Sequence, residues 1–202
     1  MQSFIQEFRG EREKNSNLMI CVCGPSGAGK GTLGKQISEM LDISLYSAGD
    51  FFRKIADDKG LTVEELSEQA DKQTDLEVDR RTLEKGLNED CVIESRISAW
   101  VMGSYADFTV YVTAELEERA KRVKKDLKDR EAEETGRLEE VKNRIKKRDQ
   151  DNRDRYKDYY SIDMKDSSRF DMVIDNTDMA LEEQKQLVKK ALENELENEI
   201  EQ

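Results

Sequence analysis

The chain has 202 residues, of which 40% are charged and 36% hydrophobic, and its formal net charge at pH 7 is -12. This negative charge disfavours a general binder of nucleic acid or of anionic membranes, and no apolar run approaches the ~20 residues that a membrane-spanning helix needs. The absence of histidine excludes Ser-His-Asp and Cys-His nucleophilic triads and most catalytic zinc sites.

The N-terminal stretch and the cysteines bear on where the protein works. Residues 1–16 lack the continuous apolar core of a secretory signal, and we expect them to form a flexible extension. The three cysteines cannot form a disulfide framework, and their odd number fits a reducing compartment. We therefore expect a cytoplasmic protein with one domain at 17–202.

Five short segments have the length and composition of strands, and the first and third of them are apolar enough to be buried. They lie at 18–23, 43–47, 91–94, 108–113 and 171–177. Cys21 and Cys23, two apart in the first segment, could be metal ligands. We favour burial, because residues two apart share one face of a strand and free cysteine behaves as a small apolar side chain.

Helical periodicity separates these strands. It covers 29–41, 115–130, 138–160 and the chain from 180 onward, and 51–87 carry two or three helices. Thr62 followed by Glu65 predicts a capping box at the start of one of them. Short apolar strands that alternate with helices predict an α/β fold, in which helices cover both faces of a parallel sheet.

The stretch CGPSGAGKGT joins the first strand to the first helix. Its glycines let backbone N–H groups approach phosphate oxygens, the helix N-terminus adds partial positive charge, and Lys30 adds a full one. Gly24-x-x-x-x-Gly29-Lys30 in this context predicts a nucleoside triphosphate site. The Ser or Thr that commonly follows the lysine and touches Mg²⁺ is replaced by Gly31, and Thr32 comes next.

Arginines follow two of the predicted strands. Arg53 lies in the first turns of the helix after the second strand, and Glu94 and Arg96 end the third. Ligands of open α/β sheets bind at this carboxyl edge. An enzyme that transfers a phosphoryl group between two polyanions needs such cations. It needs no general base, because the acceptor phosphate is already ionised at pH 7.

One basic segment interrupts the acidic chain. Residues 142–157 hold eight Lys or Arg against three Asp, which on charge alone is typical of an exposed helix with surface ion pairs. Arg148 and Arg155, however, share one helical face with Asn152 between them, as expected of a lid that closes on phosphates. The segment is also too polar for us to expect a core that anchors it.

The motifs GPSGAGKGT, SAGDFFR, VIESRISAW, RDQDNRDRY and YSIDMKDSSRFDMVIDNT follow one another in the chain. In this order they resemble cytidylate kinases, above all the short archaeal-type form, over residues 17–190. The resemblance implies a three-layer P-loop kinase fold with a five-stranded parallel sheet, a helical insert for the nucleoside monophosphate and a mobile lid. It places the core at 17–50, 91–135 and 166–202, the insert at 51–90 and the lid at 136–165.

The same resemblance assigns residues to ligands. The ATP phosphates would lie on the phosphate loop, which consists of Gly24, Pro25, Ser26, Gly27, Ala28, Gly29, Lys30, Gly31 and Thr32. The acceptor would be bound by residues at the strand ends and in the insert, namely Ser47, Gly49, Arg53, Asp79 and Arg96. Arg96, Arg148 and Arg155 would act with Lys30 as catalytic cations. Thr32 and Glu94 would hold Mg²⁺, Glu94 through water.

The base of the acceptor is predicted from fewer residues. Cytosine offers an amino donor that suits a carboxylate, and acceptor atoms that suit a cation. Asp71, Asp75 and Asp79 recur at helical spacing with Arg80 and Arg81 next to them, although a solvated acidic stripe would have the same pattern. Asp79 is our choice because it lies in DLEVDRR, the segment that matches the family.

We therefore expect a monomeric kinase that uses ATP and Mg²⁺ to phosphorylate CMP and dCMP, with small molecules as partners and neither nucleic acid nor membrane. Two alternatives stay open. The motifs GKGT and GDFFR also resemble adenylate kinases, so that AMP or UMP could be the acceptor. A non-catalytic regulatory ATPase would carry the same phosphate loop.

Overall fold

The computed structural model describes residues 17–62, 65–66, 72–129, 136–164 and 166–200. The expected N-terminal extension lies outside the described residues, and so does Asp71 of the acidic stripe.

A five-stranded parallel sheet forms the centre of the fold. Its strands are β1 (Met19–Cys23), β2 (Ser44–Ser47), β3 (Cys91–Glu94), β4 (Phe108–Thr113) and β5 (Met172–Asp175). Their order across the sheet is β2-β3-β1-β4-β5, and Val22 of β1 pairs with Glu94 on one side and Val110 on the other. The direction of winding therefore reverses at β1, and a reversal of this kind opens a crevice at the carboxyl ends of the strands.

Helices cover both faces of the sheet. They are α1 (Lys30–Leu41), α2 (Ala48–Lys59), α3 (Lys72–Gly86), α4 (Ser98–Met102), α5 (Leu116–Asp129), α6 (Leu138–Tyr160) and α7 (Leu181–Ile200), with a 3-10 turn at Gly103–Tyr105. On one face, Leu33 of α1 and Val188 of α7 are buried with the side chains of β1 and β4. On the other face, α3, α4 and the end of α6 form the second half of the core. The three-layer α/β prediction is confirmed.

The local predictions for this fold are also confirmed. All five strands lie within the predicted segments. Thr62 N donates to Glu65 Oε2 at 2.8 Å and Glu65 N donates to Thr62 Oγ1 at 3.1 Å, which is the predicted capping box. Cys21 and Cys23 are free and fully buried in the core. Within the described ranges, no helix combines the length and apolar character needed to cross a membrane.

The expectation that 138–160 has no core to anchor it is wrong. Helix α6 buries Val141 and Ile145 against Ala120 of α5, and it buries Tyr156 and Tyr160 in the core beneath the sheet. Each pair is spaced by one helical turn, so a narrow apolar stripe anchors a helix whose other faces are charged. The prediction failed because it rested on the polarity of the whole segment, in which these few apolar residues are outnumbered by charged ones.

Candidate functional site

The phosphate loop passes from β1 to α1 at the crevice. A Cβ at Gly24 would lie 2.1 Å from the carbonyl oxygen of Val112, so only glycine lets the loop run this close to β4. Gly29, the N-cap of α1, has a φ of 91°, in the left-handed region that favours glycine. The loop therefore leads into a helix whose first N–H groups and partial positive charge lie at the crevice.

Lys30 places an ammonium group inside this loop. Its Nζ donates to the carbonyl oxygen of Pro25 at 3.1 Å and lies 3.6 Å from Glu94 Oε1. Burial lowers the pKa of Lys30, and the charge of Glu94 opposes that effect, whereas the cations Arg96 and Arg148 add to it. A cation that is buried beside other cations favours the arrival of an anion.

The ends of three neighbouring strands meet at Lys30. Ser47 ends β2, and its hydroxyl donates to Glu94 Oε2 at 2.5 Å, at the end of β3. A Cβ at Gly49 would meet Arg53 Nη1 and Ser47 Oγ at 3.4 Å each, so glycine keeps the space between these two side chains open. The structure thus brings together Ser47, Gly49, Glu94 and Lys30, four of the residues that the resemblance assigns to ligands.

The predicted arginines near Lys30 differ in their contacts and exposure. Arg96 Nη2 donates to the Ser26 hydroxyl in the loop at 3.2 Å, and its buried Nε has no hydrogen-bond partner among the described residues. Arg53 is half-exposed and binds Asp50 of its own helix. Arg148 is exposed on α6, yet close enough for its charge to lower the pKa of Lys30. Arg96 therefore contacts the loop directly.

Arg155 is held by acidic and amide groups. Its Nη1 lies 2.9 Å from Asp75 Oδ2 of α3, and its Nη2 donates to Asn152 Oδ1 at 2.7 Å. Its buried Nε has no hydrogen-bond partner within the described part of the chain. Arg155 and Arg96 thus each keep a buried N–H without a hydrogen-bond partner among the described residues, as does Arg119.

Asp79, the residue predicted to read the base, is buried beneath α6. Its Oδ2 accepts a hydrogen bond from the Tyr160 hydroxyl at 2.7 Å. The pKa of Asp79 is raised to about 7. Burial is the largest cause and the nearby charge of Asp75 adds to it, whereas the Tyr160 hydrogen bond, Arg155 and Arg96 oppose the rise. Asp79 is therefore an unusually basic carboxylate at the junction of α3 and α6.

This raised pKa predicts a pH-dependent stability. An unfolded aspartate has a pKa of about 3.9, so Asp79 supports folding most strongly below that pH and loses its contribution as the pH rises through about 7. We expect Asp79→Asn, which cannot titrate, to gain free energy of unfolding relative to the parent between pH 5 and pH 8. Chemical denaturation at both pH values measures this difference. A difference between variant and parent that does not change with pH would contradict the prediction.

The sequence analysis missed the residues that bind the loop from the side of α5. Arg119 Nη1 donates to the Ser26 carbonyl oxygen at 3.0 Å and to Asp149 Oδ2 of α6 at 2.7 Å. Asp149 also accepts from the Ser26 N–H at 3.2 Å. Helix α6 is therefore joined to the phosphate loop through one carboxylate.

Two more missed residues bind the carbonyl oxygen of Ala28. Arg122 Nη1 donates to it at 3.4 Å and Asn176 Nδ2 donates to it at 3.1 Å. The sequence held a signal for both, since Asn176 directly follows β5 and Arg122 belongs to the helix that follows β4. The same carboxyl-edge rule that singled out Arg96 applies to them.

A cavity of about 260 Å³ opens beside the loop. It is lined by residues of the loop, β4, α6 and the connections before α4 and β5, namely Pro25, Arg96, Tyr111, Asp149, Arg153, Met164, Ser167 and Phe170. The ring centroids of Tyr111 and Phe170 are 5.0 Å apart and form an aromatic wall. The space beside the phosphate loop thus combines arginines with aromatic side chains.

Comparisons with known proteins agree with this geometry. The model of the cytidylate kinase-like family matches residues 19–178. A cytidylate kinase of Staphylothermus marinus is 34% identical over 179 residues, which are 87% of this chain and 97% of the relative. A cytidylate kinase of Natronomonas pharaonis is 36% identical over 160 residues, which are 78% of this chain and 80% of the relative.

A solved structure supports the fold independently. Shikimate kinase from Bacteroides thetaiotaomicron superposes with a TM-score of 0.56 at 17% identity, over 87% of this chain and 98% of that one. At this identity the likeness shows the kinase fold alone.

Proposed function

Because the chain belongs to the cytidylate kinase-like family, we propose that it transfers a phosphoryl group from ATP to CMP, and to dCMP, in pyrimidine nucleotide metabolism. The observation that carries this proposal is the match to cytidylate kinases over most of the chain. The crevice supports it, because Lys30, Arg96 and the N-terminus of α1 concentrate positive charge at the ends of the central strands.

The proposed reaction forms one bond and breaks one bond. An oxygen of the CMP phosphate attacks the γ-phosphorus of ATP, the bond from that phosphorus to the β,γ-bridging oxygen breaks, and ADP and CDP leave. No proton has to be removed from the attacking oxygen, so the lack of histidine is no obstacle. What the protein supplies is alignment and positive charge.

Residues of the loop would bind ATP, and residues that follow the strand ends would bind the acceptor nucleotide. The backbone of Gly24–Thr32 and the ammonium of Lys30 would hold the ATP phosphates. Arg96 would hold the acceptor phosphate, since it already reaches Ser26 at the edge of the loop. Arg53 would join it after exchanging its bond to Asp50, which is exposed and therefore weak.

We propose that Asp79 recognises the cytosine base of CMP. A buried carboxylate is the group that suits the amino donor of cytosine. Asp79 accepts from Tyr160 through Oδ2, and a carboxylate has lone pairs on both oxygens. Asp79 would therefore either use its other oxygen or exchange the Tyr160 hydrogen bond.

Magnesium would be held mainly by the nucleotides. The described residues contain no group of three or more acidic or cysteine side chains that could hold a metal ion, and Glu94 is engaged by Ser47 and Lys30. Thr32, which is exposed at the start of α1, and Glu94 through water, fit an ion that keeps most of its own ligands. When bound, Mg²⁺ would neutralise charge on the transferring phosphates.

The elements also suggest how the chain divides. We propose that α3 and all but the first turn of α2 belong to an acceptor insert at 51–90, that α6 belongs to a lid at 136–165, and that the remainder of 17–202 is the core. From here α6 is called the lid helix and α3 the insert helix.

A panel of acceptors tests the proposed function. We expect kcat/KM with ATP and Mg²⁺ to be about tenfold or more higher for CMP and dCMP than for UMP or AMP. Shikimate is the control acceptor, since its kinase shares the fold alone, and it should not react. A preference for AMP or UMP would show that CMP is not the main acceptor. ATP binding without transfer to any monophosphate would favour a regulatory ATPase.

A further inference from the structure

Two polar contacts join the insert helix to the lid helix. Asp75 Oδ2 lies 2.9 Å from Arg155 Nη1, and Asp79 Oδ2 accepts from the Tyr160 hydroxyl at 2.7 Å. Both aspartates are buried, with 7% and 6% of their surface exposed, and they lie one helical turn apart. Burial of a carboxylate is costly unless it is paired, so these contacts fix which face of the insert helix meets the lid helix.

The environment of Arg155 restricts its orientation. Asp75 Oδ2 forms an ion pair with one terminal nitrogen that lacks hydrogen-bond geometry, and Asn152 accepts a hydrogen bond from the other. The guanidinium carbon lies 5.9 Å from the ring centroid of Tyr156, which is itself buried. The guanidinium is thus held along one edge and against one ring, and its Nε–H has no partner among the described residues.

From this arrangement we propose that Asp75 is a positioning residue, which orients the guanidinium of Arg155 towards the transferring phosphate and couples the lid helix to the insert helix. The inference rests on the proposed function, because it needs a phosphate for Arg155 to bind. It adds a role that the acidic pattern of the sequence did not separate from base recognition. Asp75 acts through Arg155 and need not touch either nucleotide.

This role differs from base recognition in what it predicts. A carboxylate that reads cytosine affects KM for CMP and the preference for CMP over UMP. A carboxylate that orients a catalytic cation affects kcat for every acceptor by the same factor and leaves KM for ATP unchanged. A contact that is only structural affects the unfolding temperature and neither kinetic constant.

The test is Asp75→Asn, which keeps shape and removes charge. We expect kcat to fall about 10–100-fold with both CMP and UMP, the loss typical of a misplaced catalytic group, and KM for ATP to stay within about twofold. The matched control is Glu77→Gln on the same helix. Glu77 pairs with Arg81 at 2.6 Å, but both side chains are about half-exposed, so its loss should change kcat less than about twofold.

A double-mutant cycle identifies Arg155 as the residue through which Asp75 acts. If so, Asp75→Asn should lower kcat little further once Arg155 is alanine, and the same non-additivity should appear in the unfolding temperature without nucleotides. Additive losses in kcat would overturn the proposal. So would a parent-like kcat in Asp75→Asn, or a changed CMP preference at unchanged kcat.

Two further outcomes are separable. If the parent protein phosphorylates no monophosphate, the proposed function fails and this inference falls with it, whereas an active parent with a normal Asp75→Asn variant overturns the inference alone. If Asp75→Asn is too unstable to assay, Asp75→Glu keeps the charge paired and moves the carboxylate by one methylene. A lower kcat at a parent-like unfolding temperature would then support the proposal, and an unchanged kcat would overturn it.

Discussion

Replacing Lys30 with methionine is expected to lower kcat at least ~10³-fold while the protein stays folded. The substitution keeps the length of the side chain and removes the charge that the donor and transferred phosphates would share. The fold should tolerate it, because burial disfavours the ammonium and lowers its pKa. Glu94 also keeps its hydrogen bond from Ser47. Steady-state kcat with ATP and CMP and the unfolding temperature measure the two effects.

Lys35→Met is the matched control for this prediction. Lys35 lies on the same helix and is 72% exposed in its ion pair with Glu39. Because each substitution removes one lysine, Lys35→Met and Lys30→Met have the same net charge. It should retain kcat within about twofold, since exposed ion pairs contribute little. Turnover of Lys30→Met within tenfold of the parent would contradict the catalytic role of Lys30, and an equal loss in both variants would trace the effect to net charge.

Local patterns in the sequence were enough to predict the sheet and the phosphate loop. The central strands β1, β3 and β4 are short apolar runs in which most residues are buried, and such runs are read directly from the residues. Helix α4 was missed because all of its residues, Ser98–Met102, are buried. A five-residue helix with no exposed face has no amphipathic period to detect.

The contacts of the predicted site residues were less predictable. Helical spacing placed Arg148 and Arg155 on one face, but spacing says nothing about which groups from other elements meet that face. The partner of Arg155 is Asp75, eighty positions earlier in the chain, and Asp149 meets Ser26 and Arg119. These pairings depend on how α3, α5 and α6 pack around the sheet, which no local pattern encodes.

The packing of the lid helix changes the expectation for its arginines. Changing Arg148 and Arg155 together to alanine should lower phosphoryl transfer at least ~10³-fold, because two cations that would neutralise the transferring group are lost. If both arginines were exposed, their loss would leave the free energy of unfolding nearly unchanged. Of the two, however, only Arg148 is exposed. Loss of Arg155 leaves the buried carboxylate of Asp75 without this cation. We therefore expect the double variant and Arg155→Ala to lose on the order of 1–3 kcal/mol in free energy of unfolding, and Arg148→Ala to lose little.

Stability and catalysis can be separated with variants of the same helix. Lys146→Ala with Lys147→Ala removes two charges from exposed positions and should retain kcat and unfolding temperature, so it controls for net charge. Arg148→Ala alone is the second comparison, since it should lower kcat at a parent-like unfolding temperature. Asp75→Asn in the Arg155→Ala background should recover part of the lost stability, because a buried charge that has lost the Arg155 cation is removed. It should recover none of the lost kcat, since the catalytic cation stays absent.

Parent-like transfer in the Arg148, Arg155 double variant would show that the lid helix plays no part in the chemistry. A complex with both nucleotides in which both guanidinium groups point into solvent would show the same.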